Sequence, residues 1–226
     1  MPSSSDLNAR NKSAWEALYA STSESIWGRE PVGFLQPFLP DPASLPSGEV
    51  LDAAAGEGRN LPLLLSLGRP VTACDAAASA LAKIPAALAG RVHTLTCDLA
   101  QVPLPDARFA FILFCDVIET LPDPVPVLRE LSRLLVPGGL LLANIPGTDD
   151  GVAGVDMQPA GDGWLYQNKY YYRFYHPAET DALLAQTNLT RVREETHEWI
   201  EHPHPHFRAV AHTHRSRILL ARRAAG

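Results

Sequence analysis

From residue 49 onward, short apolar runs alternate with segments whose apolar residues recur at helical spacing. Residues 49–53 read as a strand and 59–67 as a helix. Residues 70–74 read as a second strand, followed by a helix over 77–88 that Pro85 interrupts. A third strand covers 92–97. Residues 109–115 are almost continuously apolar, as expected of a strand buried on both faces. A helix over 125–135 is stopped by Pro137-Gly138-Gly139, and 140–145 is another buried strand. This alternation predicts an α/β fold: a doubly wound, mostly parallel sheet with helices on both faces.

The flanks follow a different rhythm. Residues 6–21 predict a helix with a stripe of Leu7, Ala14, Trp15, Leu18 and Tyr19. A second short helix is expected over 31–39, with Pro31 at its first position. Residues 40–48, rich in Pro and Ser, read as a linker. Beyond 146, the Gly- and Asp-rich stretch 147–163 predicts a mobile loop, and 166–176 is strongly aromatic. A helix over 177–186 then precedes two strands, 190–199 and 215–223, joined by a His- and Pro-rich segment. With no internal repeat and no second core, one domain over 1–226 is expected: a helical cap (1–47), a core (48–146), a covering segment (147–176), and a C-terminal helix and strand pair (177–226).

Three acids end three successive strands: Asp52, Asp75 and Asp98. In a doubly wound sheet, ligands bind beyond the carboxyl ends of the strands, so these acids face one crevice. Between the first two, Ala53-Ala54-Ala55-Gly56-Glu57-Gly58 makes a small-residue turn into a helix start, where a backbone approaches a ligand closely. Asp75, about 20 residues past the first strand, suits the two hydroxyls of a ribose; it would also serve as an N-cap. Asp98 is placed to accept from an exocyclic amine, and the N–H of Leu99 to donate to an adenine ring nitrogen.

These residues resemble a class I S-adenosylmethionine-dependent methyltransferase of the small, single-domain type. The similarity rests on Asp52 to Gly58, on Asp75, on Asp98-Leu99, on Cys115-Asp116-Val117-Ile118-Glu119-Thr120-Leu121-Pro122, and on 128–139. It covers 48–146. One departure is Ala54, where the family usually has Gly. The resemblance implies strand order 3-2-1-4-5-7-6 with an antiparallel final strand. It implies S-adenosyl-L-methionine as cofactor and S-adenosyl-L-homocysteine as product. Asp52 and the backbone at Ala54 and Gly56 would orient the amino-acid end, with Gly58 closing the turn. Asp75 would hold the ribose, Ala76 would pack near the adenine, and Asp98 and Leu99 would read its edge. Cys115 and Asp116 would lie near the methionine portion.

A nicotinamide site wants Gly-x-Gly-x-x-Gly around a pyrophosphate, a spacing absent here, and Glu57 is ill placed beside a diphosphate. The acceptor side is expected in two places. Trp27 and Arg29 lie between the N-terminal helices, where a plain connector is the competing reading. Tyr171, Tyr172 and His176 lie in the aromatic stretch, with His176, Tyr171 and Asp116 as candidate catalytic groups. The segment His202-Pro203-His204-Pro205-His206, with His212 and His214 beyond, invites a metal reading, but alternating Pro points successive imidazoles apart; a surface connector is expected and no metal site, with lining of the acceptor pocket as the alternative.

Composition narrows the class. The chain has 226 residues, 46% hydrophobic and 19% charged, with a net charge of −6. That balance points away from nucleic acid and anionic membranes. No signal-like or membrane-spanning run is present, so a cytoplasmic location is expected. Cys74, Cys97 and Cys115 read as small buried residues rather than a disulfide framework, with a reactive thiol beside the ligand crevice as the alternative. The expected function is methyl transfer to a small-molecule acceptor by a monomer or homodimer. The alternatives are a catalytically inactive cofactor-binding regulatory or scaffold protein, or a protein methyltransferase.

Overall fold

The computed structural model describes residues 3–204 and 206–224. Helix α1 (Ser4–Ala20) begins at a capping box in which the Ser3 and Asp6 side chains each accept the other's backbone N–H. A 3-10 turn over Gly33–Phe38 follows, in place of the expected helix at 31–39. Its first residue is Gly33 rather than Pro31, and Pro37 inside it removes a donor that a longer α-helix would need. The alternating part then runs β1 (Glu49–Ala53), α2 (Leu61–Leu65), β2 (Val71–Asp75), α3 (Ala78–Leu81), α4 (Ala86–Ala89), β3 (Val92–Thr96), β4 (Phe109–Phe114), α5 (Val125–Leu134) and β5 (Leu135–Pro146). As expected, Pro85 splits α3 from α4 and caps the latter. Helix α2 is shorter than the 59–67 expected. Pro137-Gly138-Gly139 does not separate helix from strand; it lies inside β5, which begins directly after α5.

Residues after Gly147 are more ordered than a mobile loop. Strands β6 (Met157–Ala160), β7 (Gly163–Tyr166) and β8 (Tyr170–Tyr172) form a separate antiparallel sheet. Helix α6 (Pro177–Gln186) has Pro at its first turn, and β9 (Leu189–Glu201) and β10 (His212–Arg223) close the chain. The large sheet has order β3-β2-β1-β4-β5-β10-β9, which is 3-2-1-4-5-7-6 once the small sheet is set aside. All neighbours from β3 to β5 are parallel; β10 is antiparallel to both β5 and β9.

Period-two alternation sends successive side chains of β4 to opposite faces. Ile112 and Phe114 join a core with Leu128, Leu131 and Leu134 of α5. Phe111 and Leu113 join a core with Leu61 and Leu64 of α2 and Phe34, Leu35 and Phe38 of the 3-10 turn. The two apolar layers make β4 fully buried and align the strands so that their carboxyl ends open on one side.

Candidate active site

The loops after β1, β2, β3 and β4 surround a crevice of about 510 Å³, with α1 along one wall and the β9–β10 hairpin along another. The turn after β1 passes through the left-handed region at Ala54 (φ 63°), Gly56 (φ 54°) and Gly58 (φ 78°). Only Gly does so without steric cost. A Cβ on Gly58 would stand 2.7 Å from Leu61 and 3.1 Å from Ile84, so this glycine is required by packing behind the loop.

Asp75 ties the turn to β2. Its Oδ2 accepts the Gly56 N–H at 2.8 Å and its Oδ1 accepts the Ala77 N–H at 2.8 Å. Burial raises its pKa, and those backbone donors oppose the shift. A carboxylate offers about four lone-pair positions, so acceptor capacity remains toward the crevice. Asp98 accepts Lys12 of α1 at 2.5 Å, and its pKa is held low by that lysine despite partial burial.

Asp116 (φ 57°) is locked on both oxygens. Arg59 donates to Oδ2 at 2.6 Å, and the Asn144 amide donates to Oδ1 at 2.6 Å. Asn144 also accepts the Asp116 N–H. Glu119 stands beside it with a buried, unpartnered Oε2, and burial followed by the Asp116 charge pushes its pKa up. The Cys115 thiol is pushed up by burial and then by Asp116, so it is not a thiolate nucleophile.

The expected site residues divide into two groups. Ala54, Gly56, Asp75, Ala76, Asp98, Leu99, Cys115, Asp116, Trp27 and Tyr172 line the crevice. Asp52, Gly58, Arg29, Tyr171 and His176 do not. Asp52 is buried beneath the turn with an unpartnered Oδ2, and burial together with the Asp75 charge raises it to about 7. Arg29 donates to the carbonyls of Glu57 and Lys83. Tyr171 is 1% exposed among Leu7, Ala160 and Leu165, where it packs the small sheet on α1. His176 is exposed, and its Nδ1 accepts the Ala178 N–H as the cap of α6. Neither Tyr171 nor His176 is therefore placed for a base role in the crevice.

Several lining residues had no motif to announce them: Lys12, Tyr19, Arg59, Asn144, Trp199 and Glu201; His212 and His214, past the His- and Pro-rich segment, also line it. Asn144 carried a signal, being the one polar residue in the apolar run 140–145. Trp15, Trp27 and Phe207 pack on one another at 5.3–6.1 Å between ring centroids and form an aromatic wall. Opposite Trp27, His204 hydrogen-bonds Glu201 at 2.7 Å. Glu201 falls to about 2 despite its burial, because His204 and Trp199 hydrogen-bond its carboxylate. Among the described residues, no group of three or more His, Cys, Asp or Glu is arranged to hold a metal, and no helix is long and apolar enough to cross a membrane.

A family profile described as "Methyltransferase domain" matches residues 51–143. The "Probable S-adenosylmethionine-dependent methyltransferase" of Mycobacterium tuberculosis is 36% identical over 144 residues, 64% of this chain and 49% of that protein. The malonyl-[acyl-carrier protein] O-methyltransferase of Serratia marcescens is 33% identical over 122 residues, 54% of this chain and 45% of that protein. The chain thus spans about half the length of these curated relatives. A solved structure of the Burkholderia thailandensis 1,6-didemethyltoxoflavin-N1-methyltransferase, with 1,6-didemethyltoxoflavin and S-adenosylhomocysteine bound, shares the fold. Its TM-score is 0.70 at 22% identity, covering 99% of this chain and 92% of that one. Residues 51–143 thus resemble the methyltransferase domain of S-adenosylmethionine-dependent methyltransferases.

Proposed function

We propose that this chain transfers a methyl group from S-adenosyl-L-methionine to a small-molecule acceptor, by in-line displacement in the crevice at the carboxyl ends of β1 to β4. One observation carries the reading: the turn after β1, Asp75 and Asp98 converge on a single crevice that continues into an aromatic chamber under the β9–β10 hairpin.

The residues present fit the cofactor. Carboxylates outnumber lysine and arginine side chains around the crevice, which favours a sulfonium cation over a phosphate. Asp75 keeps acceptor capacity for a ribose diol, and the small side chains at 54–56 leave the turn open. When bound, the cofactor supplies a methyl carbon on a sulfur that leaves neutral. The protein's work is therefore alignment and exclusion of water. Trp15 and Trp27 wall the acceptor's approach, and α1 covers the adenine half through the Lys12–Asp98 contact. In this reading the chain works as one domain in the cytoplasm, as a monomer or homodimer.

Calorimetry with S-adenosylhomocysteine, with NAD as control, tests the cofactor. Micromolar binding of the former alone supports the reading; a preference for NAD overturns it. Methyl transfer from labelled S-adenosylmethionine across a panel of small molecules then separates an enzyme from a binding protein that does not turn over.

A further inference from the structure

At the acceptor end of the crevice, β10 runs past the end of β5. Ser216 is opposite Pro146, the last residue of β5, so His212 and His214 overhang the crevice on one face of the strand. Asp150, buried in the loop after β5, lies 3.1 Å from Nδ1 of His214; it also accepts the N–H groups of Val152 and Arg215. Nδ1 of His212 lies 3.0 Å from the carbonyl oxygen of Val210. Both Nδ1 atoms thus face oxygen acceptors and carry the proton of each neutral ring. The two Nε2 lone pairs are then left facing one another at 3.1 Å. With no proton between them they repel; with one proton between them they make a short charged hydrogen bond. Two imidazole nitrogens alone are too few ligands for a zinc-type site.

We propose that His212 and His214 act as one proton-sharing base, oriented by Asp150, and that the acceptor is an aromatic molecule bearing a weakly acidic O–H or ring N–H. The inference rests on the methyltransferase reading. The acceptor's oxygen or nitrogen forms the bond to the methyl carbon while the C–S bond breaks and its electron pair stays on sulfur. The acceptor's proton moves to the Nε2 pair and later passes to water. The aromatic rings of Trp27, Tyr172, Trp199 and Phe207 line the same chamber and suit a planar acceptor.

The charged groups facing the pair are Asp150 below His214, Glu201 of β9 and Arg208 of the connecting loop, with Glu119 across the crevice beside Asp150. Burial, then His214 and Arg208, lower the pKa of His212. His212 therefore resists a proton while its neighbour carries one.

The first test needs no acceptor. Nitrogen-15 NMR of the histidine-labelled full chain, titrated with and without a chelator, reads tautomer and protonation directly. Nδ1–H tautomers and a single proton divided between two linked Nε2 signals support the pair. Independent titration, Nε2–H tautomers or a chelator-dependent spectrum overturn it. The second test uses phenol and 4-nitrophenol as acceptors for wild type, His214→Gln and Asp150→Asn. The expected loss in kcat for His214→Gln is about 100-fold with phenol and under about 10-fold with 4-nitrophenol, which is far more acidic and already partly ionised at neutral pH. Equal losses for both phenols, or wild type inert toward both while S-adenosylhomocysteine still binds, overturn the base and acceptor assignment. Failure of S-adenosylhomocysteine to bind wild type instead overturns the underlying cofactor reading.

Discussion

The carboxylate of Asp75 accepts the backbone N–H of Gly56 at 2.8 Å, so the acid that ends β2 also shapes the turn that follows β1. One side chain fixes the loop and faces the crevice. Asp75→Ala is therefore expected to weaken S-adenosylhomocysteine binding more than about 10-fold while costing about 1–3 kcal/mol of stability through the unpaired backbone donors. Calorimetry and urea denaturation on the same preparation separate the two effects. Unchanged affinity would remove Asp75 from the ribose role.

Ala54 sits at φ 63°, a conformation that costs an L-residue about 1–2 kcal/mol. Ala54→Gly relieves that strain but adds freedom to the unfolded chain, leaving a net gain of about 0.5–1 kcal/mol. A small rise in the urea midpoint with unchanged S-adenosylhomocysteine affinity is expected. Gly58→Ala should do the reverse, since the new Cβ meets Leu61 at 2.7 Å and lies at φ 78°.

Glu57 has a nearly inaccessible carboxylate that holds Lys83 at 3.1 Å and accepts from Ser25 Oγ and Ile26 N, both at 2.8 Å. It is the clamp that fastens the Trp27 loop over the crevice. Glu57→Ala leaves the largely covered Lys83 ammonium with only the Glu24 carbonyl, and a loss of up to about 3–5 kcal/mol is expected. Thermal unfolding checks the magnitude, and faster proteolysis within residues 22–30 checks that the loop is released.

Burial, reinforced by the Asp75 charge, raises Asp52 to about 7. Its unfolded value is about 4. Between these values the folded chain binds the extra proton, so this stabilising contribution is full below about pH 4 and is lost as pH rises through about 7. Asp52→Asn removes that dependence. Its stability relative to wild type should therefore grow from pH 5 to pH 8, by at most about 1.4 kcal/mol per unit. Urea midpoints of both proteins at the two pH values decide it; a difference that does not change with pH would mean Asp52 is ionised throughout.

His176→Ala should cost only about 1 kcal/mol, the value of a helix cap, and leave methyl transfer intact. Parallel measurement of the thermal midpoint and of transfer to the same acceptor as wild type provides the check; loss of turnover at normal stability would return His176 to the site.

Local sequence was enough for the alternating core. The apolar run at 109–115 became β4, Pro85 broke the α3–α4 helix, and Pro177 opened α6. Asp75 and Asp98 reached the crevice because strand ends are set by topology, which hydrophobic alternation specifies. The aromatic stretch was harder. Tyr171 and Tyr172 are neighbours on β8, so the pleat sends one into the packing against α1 and the other into the crevice, and only the register of the small sheet decides which.

By itself, then, the sequence determined the doubly wound sheet, its strand order through the family resemblance, and the acids at the ends of β2 and β3, because these depend on local periodicity and chain order. The tertiary structure alone decided the acceptor end. For His212 and His214 the sequence leaves a surface connector and a pocket lining both open; the antiparallel pairing of β10 with β5 carries them beyond Pro146. There they meet Asp150, more than 60 residues earlier in the chain. Contacts at that separation depend on strand pairing and overhang, which no local pattern of residues encodes.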